Sequence, residues 1–207
     1  MYITTMPGTQ AARTALSAAL VLLASCVTVL AVRGRQKPYS PQAPAFRQKG
    51  PAGAGIIIVE YSDFQCPACR AAVAPMKDLL KIYGDRVRFT FKHYPLERPH
   101  RWARLAAKST ECAGRQGKFW ELHDTLYEKQ EEWSGEEGAV KIASYANALK
   151  LDEAAFAACV EDPAVDALVS REAQEGEDRW VSSTPTFFIN GKRFVGAKQL
   201  AMRGPPW

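Results

Sequence analysis

Paired metal ligands are scarce in this 207-residue sequence: it has three histidines, His93, His100 and His123, scattered along the chain, and its single CxxC has no second copy. A zinc site built from two ligand pairs therefore lacks its second half. Acidic residues are absent from positions 1–50, which carry six basic ones: Arg13, Arg33, Arg35, Lys37, Arg47 and Lys49. The remaining 21 basic residues are matched by all 22 acidic ones, so the net charge of +5 belongs to the N-terminal stretch. Basic flanks around an apolar segment address membranes rather than phosphate backbones, which argues against a nucleic-acid partner. There is no internal repeat. With 47% apolar and 24% charged residues, the composition excludes disorder and collagen, and the length suits one domain with accessories.

Ala15 to Val32 is an uncharged run of eighteen residues. As a helix it would reach roughly 27 Å, just enough for a bilayer core. Three readings compete: a retained signal anchor, a signal peptide cut after Val29-Leu30-Ala31, and lipidation at Cys26, since Leu23-Ala24-Ser25-Cys26 resembles a lipoprotein box. All three export the domain C-terminal to the run, although Arg33, Arg35 and Lys37 outnumber Arg13 and favour the opposite orientation. Residues 33–54, punctuated by Pro38, Pro41, Pro44 and Pro51, read as an extended linker.

Ile56-Ile57-Ile58-Val59 is a short β-branched run that suits a strand buried on both faces. Val73, Met76, Leu79, Leu80 and Tyr83 then follow a helical period that stops at Gly84. Val87, Phe89 and Phe91 alternate with Arg88, Thr90 and Lys92 as a second strand, and strand–helix–strand implies a parallel pair. From about 99 to 180 the pattern is helical, with candidates at 100–114, 117–130, 137–149, 152–160 and 163–178. Thr186–Ile189 and Lys192–Val195 flank Asn190-Gly191, a strong hairpin signal. The class is α/β: a mixed sheet with a long helical insertion, behind an N-terminal export or anchor segment.

Cys66-Pro67-Ala68-Cys69 lies where the first strand meets the first helix. With Cys66 at the N-cap, Pro67 falls at N1, where its missing N–H costs nothing. Unpaired backbone N–H groups and the helix dipole favour a thiolate on Cys66, while Cys69 waits one turn on, on the same face. That predicts a redox-active pair; half of a zinc site or an inert disulfide are the alternatives.

The segment Val59-Glu60-Tyr61-Ser62-Asp63-Phe64-Gln65-Cys66-Pro67-Ala68-Cys69 resembles the active-site stretch of DsbA-like thioredoxin-fold proteins, including the BdbD type. So do Phe91-Lys92-His93-Tyr94-Pro95-Leu96, Gly117-Lys118-Phe119-Trp120 with His123-Asp124, and Ser183-Thr184-Pro185-Thr186-Phe187-Phe188-Ile189-Asn190-Gly191. The likeness covers about 55–197. It implies a thioredoxin-like fold and thiol–disulfide exchange through Cys66 and Cys69, oxidation being favoured over reduction or isomerisation and a redox-inert peptide-binding module being the distant rival. It implies a cis peptide before Pro185, presenting Thr184 to a substrate chain. It also implies a buried acid at Glu60 that trades a proton with Cys69; Lys92 is a candidate partner for that acid. Substrates would be unfolded or reduced exported proteins, and a redox partner would reset the pair. No cofactor or metal is implied.

Setting Cys26 aside leaves four cysteines, consistent with two pairs. Cys112 and Cys159 are expected to bridge two insert helices, the alternative being two unpaired core thiols. A persistent bridge requires an oxidising, extracytoplasmic compartment. Phe119, Trp120, Leu122, Leu126 and Tyr127 read as core and groove wall, His93 and His123 as packed or capping, and Asp63 and Gln65 as rim residues. The likeness stops at the end: the family's final amphipathic helix meets Pro205-Pro206, which no regular helix tolerates.

Overall fold

The computed structural model describes residues 15–25 and 40–202. The chain divides into two units, Met1–Pro38 and Tyr39–Trp207. In the first, residues 15–25 form one helix, α1, with exposed side chains. Among the described residues no helix is long and apolar enough to cross a membrane. The rest of the apolar run with Cys26, its flanking Arg13, Arg33, Arg35 and Lys37, and the diproline tail all lie outside the described residues.

The second unit is built on a five-stranded mixed sheet: β1 (Gln48–Lys49), β2 (Ile56–Ser62), β3 (Val87–His93), β4 (Thr186–Ile189) and β5 (Lys192–Val195), in the order β1-β3-β2-β4-β5. Only β2 and β3 run parallel; the other neighbours are antiparallel. The crossover between the parallel pair is α2 (Pro67–Tyr83), which ends on Gly84. Ile56 and Ile58 face Ala72, Met76 and Leu79 of α2, while Val59 and Tyr61 face Tyr94, Val181 and Phe188 on the other side. Both faces of β2 are covered, which is why its sequence is a run and not an alternation.

Six helices fill the insertion: α3 (Ala103–Arg115), α4 (Phe119–Glu128), α5 (Gln130–Trp133), α6 (Gly138–Ala148), α7 (Glu153–Glu161) and α8 (Pro163–Glu177). The single helix expected over 117–130 is broken at Lys129, which ends α4 and starts α5. A disulfide joins Cys112 on α3 to Cys159 on α7, 47 positions apart. The β4–β5 turn has positive φ at Asn190 and Gly191, the backbone that Asn-Gly favours. Asn190 also ties the turn to β2: Ile57 N–H donates to its Oδ1 at 2.8 Å. The chain closes with α9 (Gly196–Met202), seven residues that lie against α2.

The expected linker over 33–54 is corrected for its second half. Residues 45–49 fold onto the domain as a 3-10 turn and the edge strand β1. Arg47, read from sequence as part of a basic tail, is fully buried. Glu172 takes it in a two-pronged pair at 2.7 Å, and Glu111 meets its Nε at 3.1 Å. Two carboxylates from distant helices pull this guanidinium inward, a long-range effect that no local pattern announces. The Phe46 ring lies 2.3 Å from where a Cβ on Gly114 would sit, so any side chain there would force the ring to shift.

Candidate active site

Cys66 occupies the N-cap of α2 in extended backbone, with Pro67 as the first helical residue. The loop that presents it is held from several sides. Asp63 accepts from Gln65 N–H with one oxygen and from Leu96 N–H and His100 with the other. Gln65 receives Trp102 N–H and donates to Ser134. From α5, Gln130 donates to the carbonyls of Phe64, at 2.7 Å, and Cys66, at 3.0 Å. Asp63 and Gln65, read from sequence as rim residues, are both buried and brace the loop from within. Gln130 was missed, because it arrives from the insertion 64 positions away and carries no local signal.

The structure brings Cys66, Cys69, Thr184 and Pro185 together. The Thr184–Pro185 peptide is cis, and the Thr184 carbonyl lies 3.5 Å from the Cys66 sulfur. Both cysteines are free thiols; Cys66 keeps 8% of its surface exposed and Cys69 none. A hydrogen bond from the Cys69 thiol pulls the Cys66 value down to about 5, against the opposing effect of burial. Thr184 and the backbone N–H groups of Cys69 and Ala68 assist. Pro67 and Ala68 thus act through backbone: one starts the helix, the other lends its N–H. Burial drives Cys69 the other way, well above the ordinary thiol range, and the nearby Cys66 sulfur and Glu60 add to it. Asp63 N–H, 3.5 Å from the Cys69 sulfur, partly offsets that rise.

Glu60 is buried on the α2 face of the sheet. Burial raises its carboxyl to about 7, and a hydrogen bond from Ser62, at 2.7 Å, works in the opposite direction. Ser62 has one proton, so while it donates to Glu60 the Tyr127 hydroxyl, 2.9 Å away, is the donor to Ser62. Ser62 and Tyr127 were not singled out as polar site residues from sequence.

Lys92 does not pair with Glu60. In the parallel ladder Glu60 is opposite Phe91, and Lys92 is opposite Tyr61. Side chains alternate along a strand, so the two charges project from opposite faces of the sheet. Lys92 instead reaches Glu175 on α8 at 2.5 Å. His93 is fully buried among Phe64, Phe91 and Phe119. His123 is buried too, with its Nδ1 2.8 Å from Asp124. Cys112 and Cys159 sit apart from this centre, as the cross-link between α3 and α7.

A mixed sheet whose first crossover helix begins on a CxxC dithiol, faced by a cis-proline loop, defines a thioredoxin-like fold. The chain belongs to the thioredoxin family, whose model matches residues 47–202. Among solved structures it is similar to DsbA2 of Pseudomonas aeruginosa, with 23% identity, TM-score 0.63 and coverage of 77% of this chain and 93% of that one. BdbD of Bacillus subtilis, at 22% identity and TM-score 0.62, covers 72% and 83%. In sequence it is similar to proteins named Na(+)/H(+) antiporter NhaA. That of Salinispora arenicola is 36% identical over 152 residues, covering 73% of this chain and 22% of the other. That of Herminiimonas arsenicoxydans is 33% identical over 162 residues, covering 78% and 25%. The chain therefore spans about a quarter or less of the length of these curated relatives.

Proposed function

We propose that this domain is a protein thiol–disulfide oxidoreductase that oxidises cysteine pairs in exported proteins. One observation carries the reading: two cysteines one helical turn apart have thiols driven in opposite directions, the acidic one facing the Thr184 carbonyl. In the oxidised enzyme a substrate thiolate attacks the Cys66 sulfur. The Cys66–Cys69 bond breaks, and Cys69 leaves as a thiolate that takes the proton of Glu60. A second substrate thiolate then attacks the substrate sulfur of the mixed disulfide, and Cys66 departs as a thiolate. Two electrons pass from the substrate thiols to the enzyme pair, and a redox partner removes them later.

An acidic Cys66 is a good leaving group, which favours release of an oxidised substrate and supports oxidase over reductase or isomerase. A substrate chain laid along Thr184 and Pro185 would meet the sulfur through backbone contacts, which suits unfolded clients of varied sequence. The Cys112–Cys159 disulfide fits an oxidising compartment, in agreement with residues 1–32 acting as an export signal or anchor.

The test is a trap. Cys69→Ser should accumulate a mixed disulfide with reduced, unfolded substrate, and Cys66→Ser should give none. Absence of the trapped species would reduce the domain to a peptide-binding module. The equilibrium with glutathione sets direction: a potential near that of cytosolic thioredoxin, about −270 mV, would contradict the oxidase reading.

A further inference from the structure

Helix α8 closes in a two-bond cap: Val181 N–H donates to the Gly176 carbonyl at 3.0 Å and Trp180 N–H to that of Glu177 at 2.9 Å. Such a cap needs left-handed backbone at the residue before its last, the place that glycine ordinarily fills. Here Trp180 fills it, at φ 62°, and a bulky side chain in that conformation costs free energy that glycine would not. Packing does not offset the cost. Trp180 is 63% exposed, and among the described residues its indole joins no core cluster, hydrogen bond or ring contact.

The backbone that carries the indole is nevertheless fixed, because Arg193 on β5 donates to the Trp180 carbonyl at 2.6 Å. Arg193 is opposite Phe188 in the β4–β5 ladder and Val195 is opposite Thr186. Both therefore project from the sheet face on which Phe188 meets Val181. Val195 is itself exposed, on the edge strand. Trp180 precedes the loop 181–185 and Val195 stands opposite the residue that follows it. Within that loop the Thr184 carbonyl lies 3.5 Å from the Cys66 sulfur.

We propose that Trp180, with Val195 on the same face, is a specificity site: it takes an apolar side chain of a reduced, extended client polypeptide whose cysteine is bonded to Cys66. The inference rests on the exchange chemistry proposed for Cys66 and Cys69. Trp180 lies four residues before Thr184, a span of at most about 14 Å. A client running alongside would thus offer a residue within about four positions of its reacting cysteine. A rigid, uncharged indole on fixed backbone gives a large apolar contact at little entropic cost. Unfolded chains expose apolar residues that folded ones bury, so the site favours clients that have not yet folded.

The test follows mixed-disulfide formation between the oxidised full chain and nonapeptides with one central cysteine, flanked on both sides by leucine or by serine. The parent chain should take up the leucine peptide about fivefold faster. Trp180→Gly should bring the two rates together while unfolding near the parent's midpoint, and Trp180→Phe should keep most of the preference. Comparing the leucine-to-serine ratio between variants cancels the peptides' own reactivity and any change at the sulfurs. A ratio that Trp180→Gly leaves unchanged would overturn the site. Dimerisation of the free chain that vanishes in Trp180→Gly would give the patch to a second copy and overturn it too. A chain that takes up neither peptide contradicts the exchange reading, and the site with it, whereas uptake of both at an unaltered ratio contradicts the site alone.

Discussion

Cys66 and Cys69 are the same amino acid three positions apart, yet their surroundings drive their thiols in opposite directions. The difference is positional: one sulfur stands at the helix start with donors turned toward it, and the other lies a turn deeper in apolar packing. This much was legible in the sequence, because strand, CxxC with proline, and helical period are all local. The surroundings of Glu60 were half legible. The resemblance implied its burial, but its partner depended on which sheet face Lys92 takes, and that is set by the β2–β3 register rather than by spacing. The raised Glu60 carboxyl carries a pH signature. A group whose value rises on folding favours the folded state fully below its ordinary 4.5, and that contribution fades as pH climbs through about 7. The rise corresponds to roughly 3 kcal/mol. Urea unfolding of Glu60→Gln and the parent chain should therefore diverge by about that amount between acid and mildly alkaline pH, the variant gaining; parallel curves would contradict it. At Gln130, substitution by leucine leaves the Phe64 and Cys66 carbonyls without this donor. We expect a loss of about 1–3 kcal/mol in unfolding free energy together with slower alkylation of Cys66.

Among the elements, the strap before β2 departs furthest from its sequence. Prolines at 41, 44 and 51 and a basic composition describe an extended tether, and nothing local reveals that Glu111 and Glu172 will close on Arg47 from helices far along the chain. Burial alone would raise the Glu172 carboxyl, but Arg47 outweighs it and holds the value below the ordinary range. Arg47→Met removes the cation and leaves two buried carboxylates, at an expected cost of about 3–5 kcal/mol in thermal or urea unfolding. The cost should shrink in acid, where the carboxylates can protonate, and a uniform loss at all pH values would point to packing instead. Gly114→Ala tests the same strap sterically: the new methyl meets Phe46, and a destabilisation of about 1–3 kcal/mol is expected. The hairpin and α2 were fully legible because Asn-Gly and Pro-to-Gly punctuation act within a few residues. The split of the second insert helix at Lys129 was not, since α5 is set by what Gln130 and Trp133 bury.

For the whole molecule, the sheet supplies the site and the insertion supports it from above, with the Cys112–Cys159 bridge fastening α3 to α7. A loop of this length stabilises by about 4 kcal/mol in the chain-entropy account. The paired replacement Cys112→Ala with Cys159→Ala should lower the unfolding free energy by about that amount while leaving the mixed-disulfide trap at Cys66 intact. Loss of the trap in a folded double variant would show that the bridge shapes the site directly. The even cysteine count made this bridge legible, whereas its place between α3 and α7 depended on how the insertion helices fold together.

All of the exchange chemistry depends on a thiolate at Cys66. Ultraviolet titration of the reduced chain, with Cys66→Ser as the blank, reads that ionisation directly. We predict a step centred at about pH 5 that vanishes in the blank. A step near the ordinary thiol value of about 8.5, or one that survives in Cys66→Ser, would contradict it.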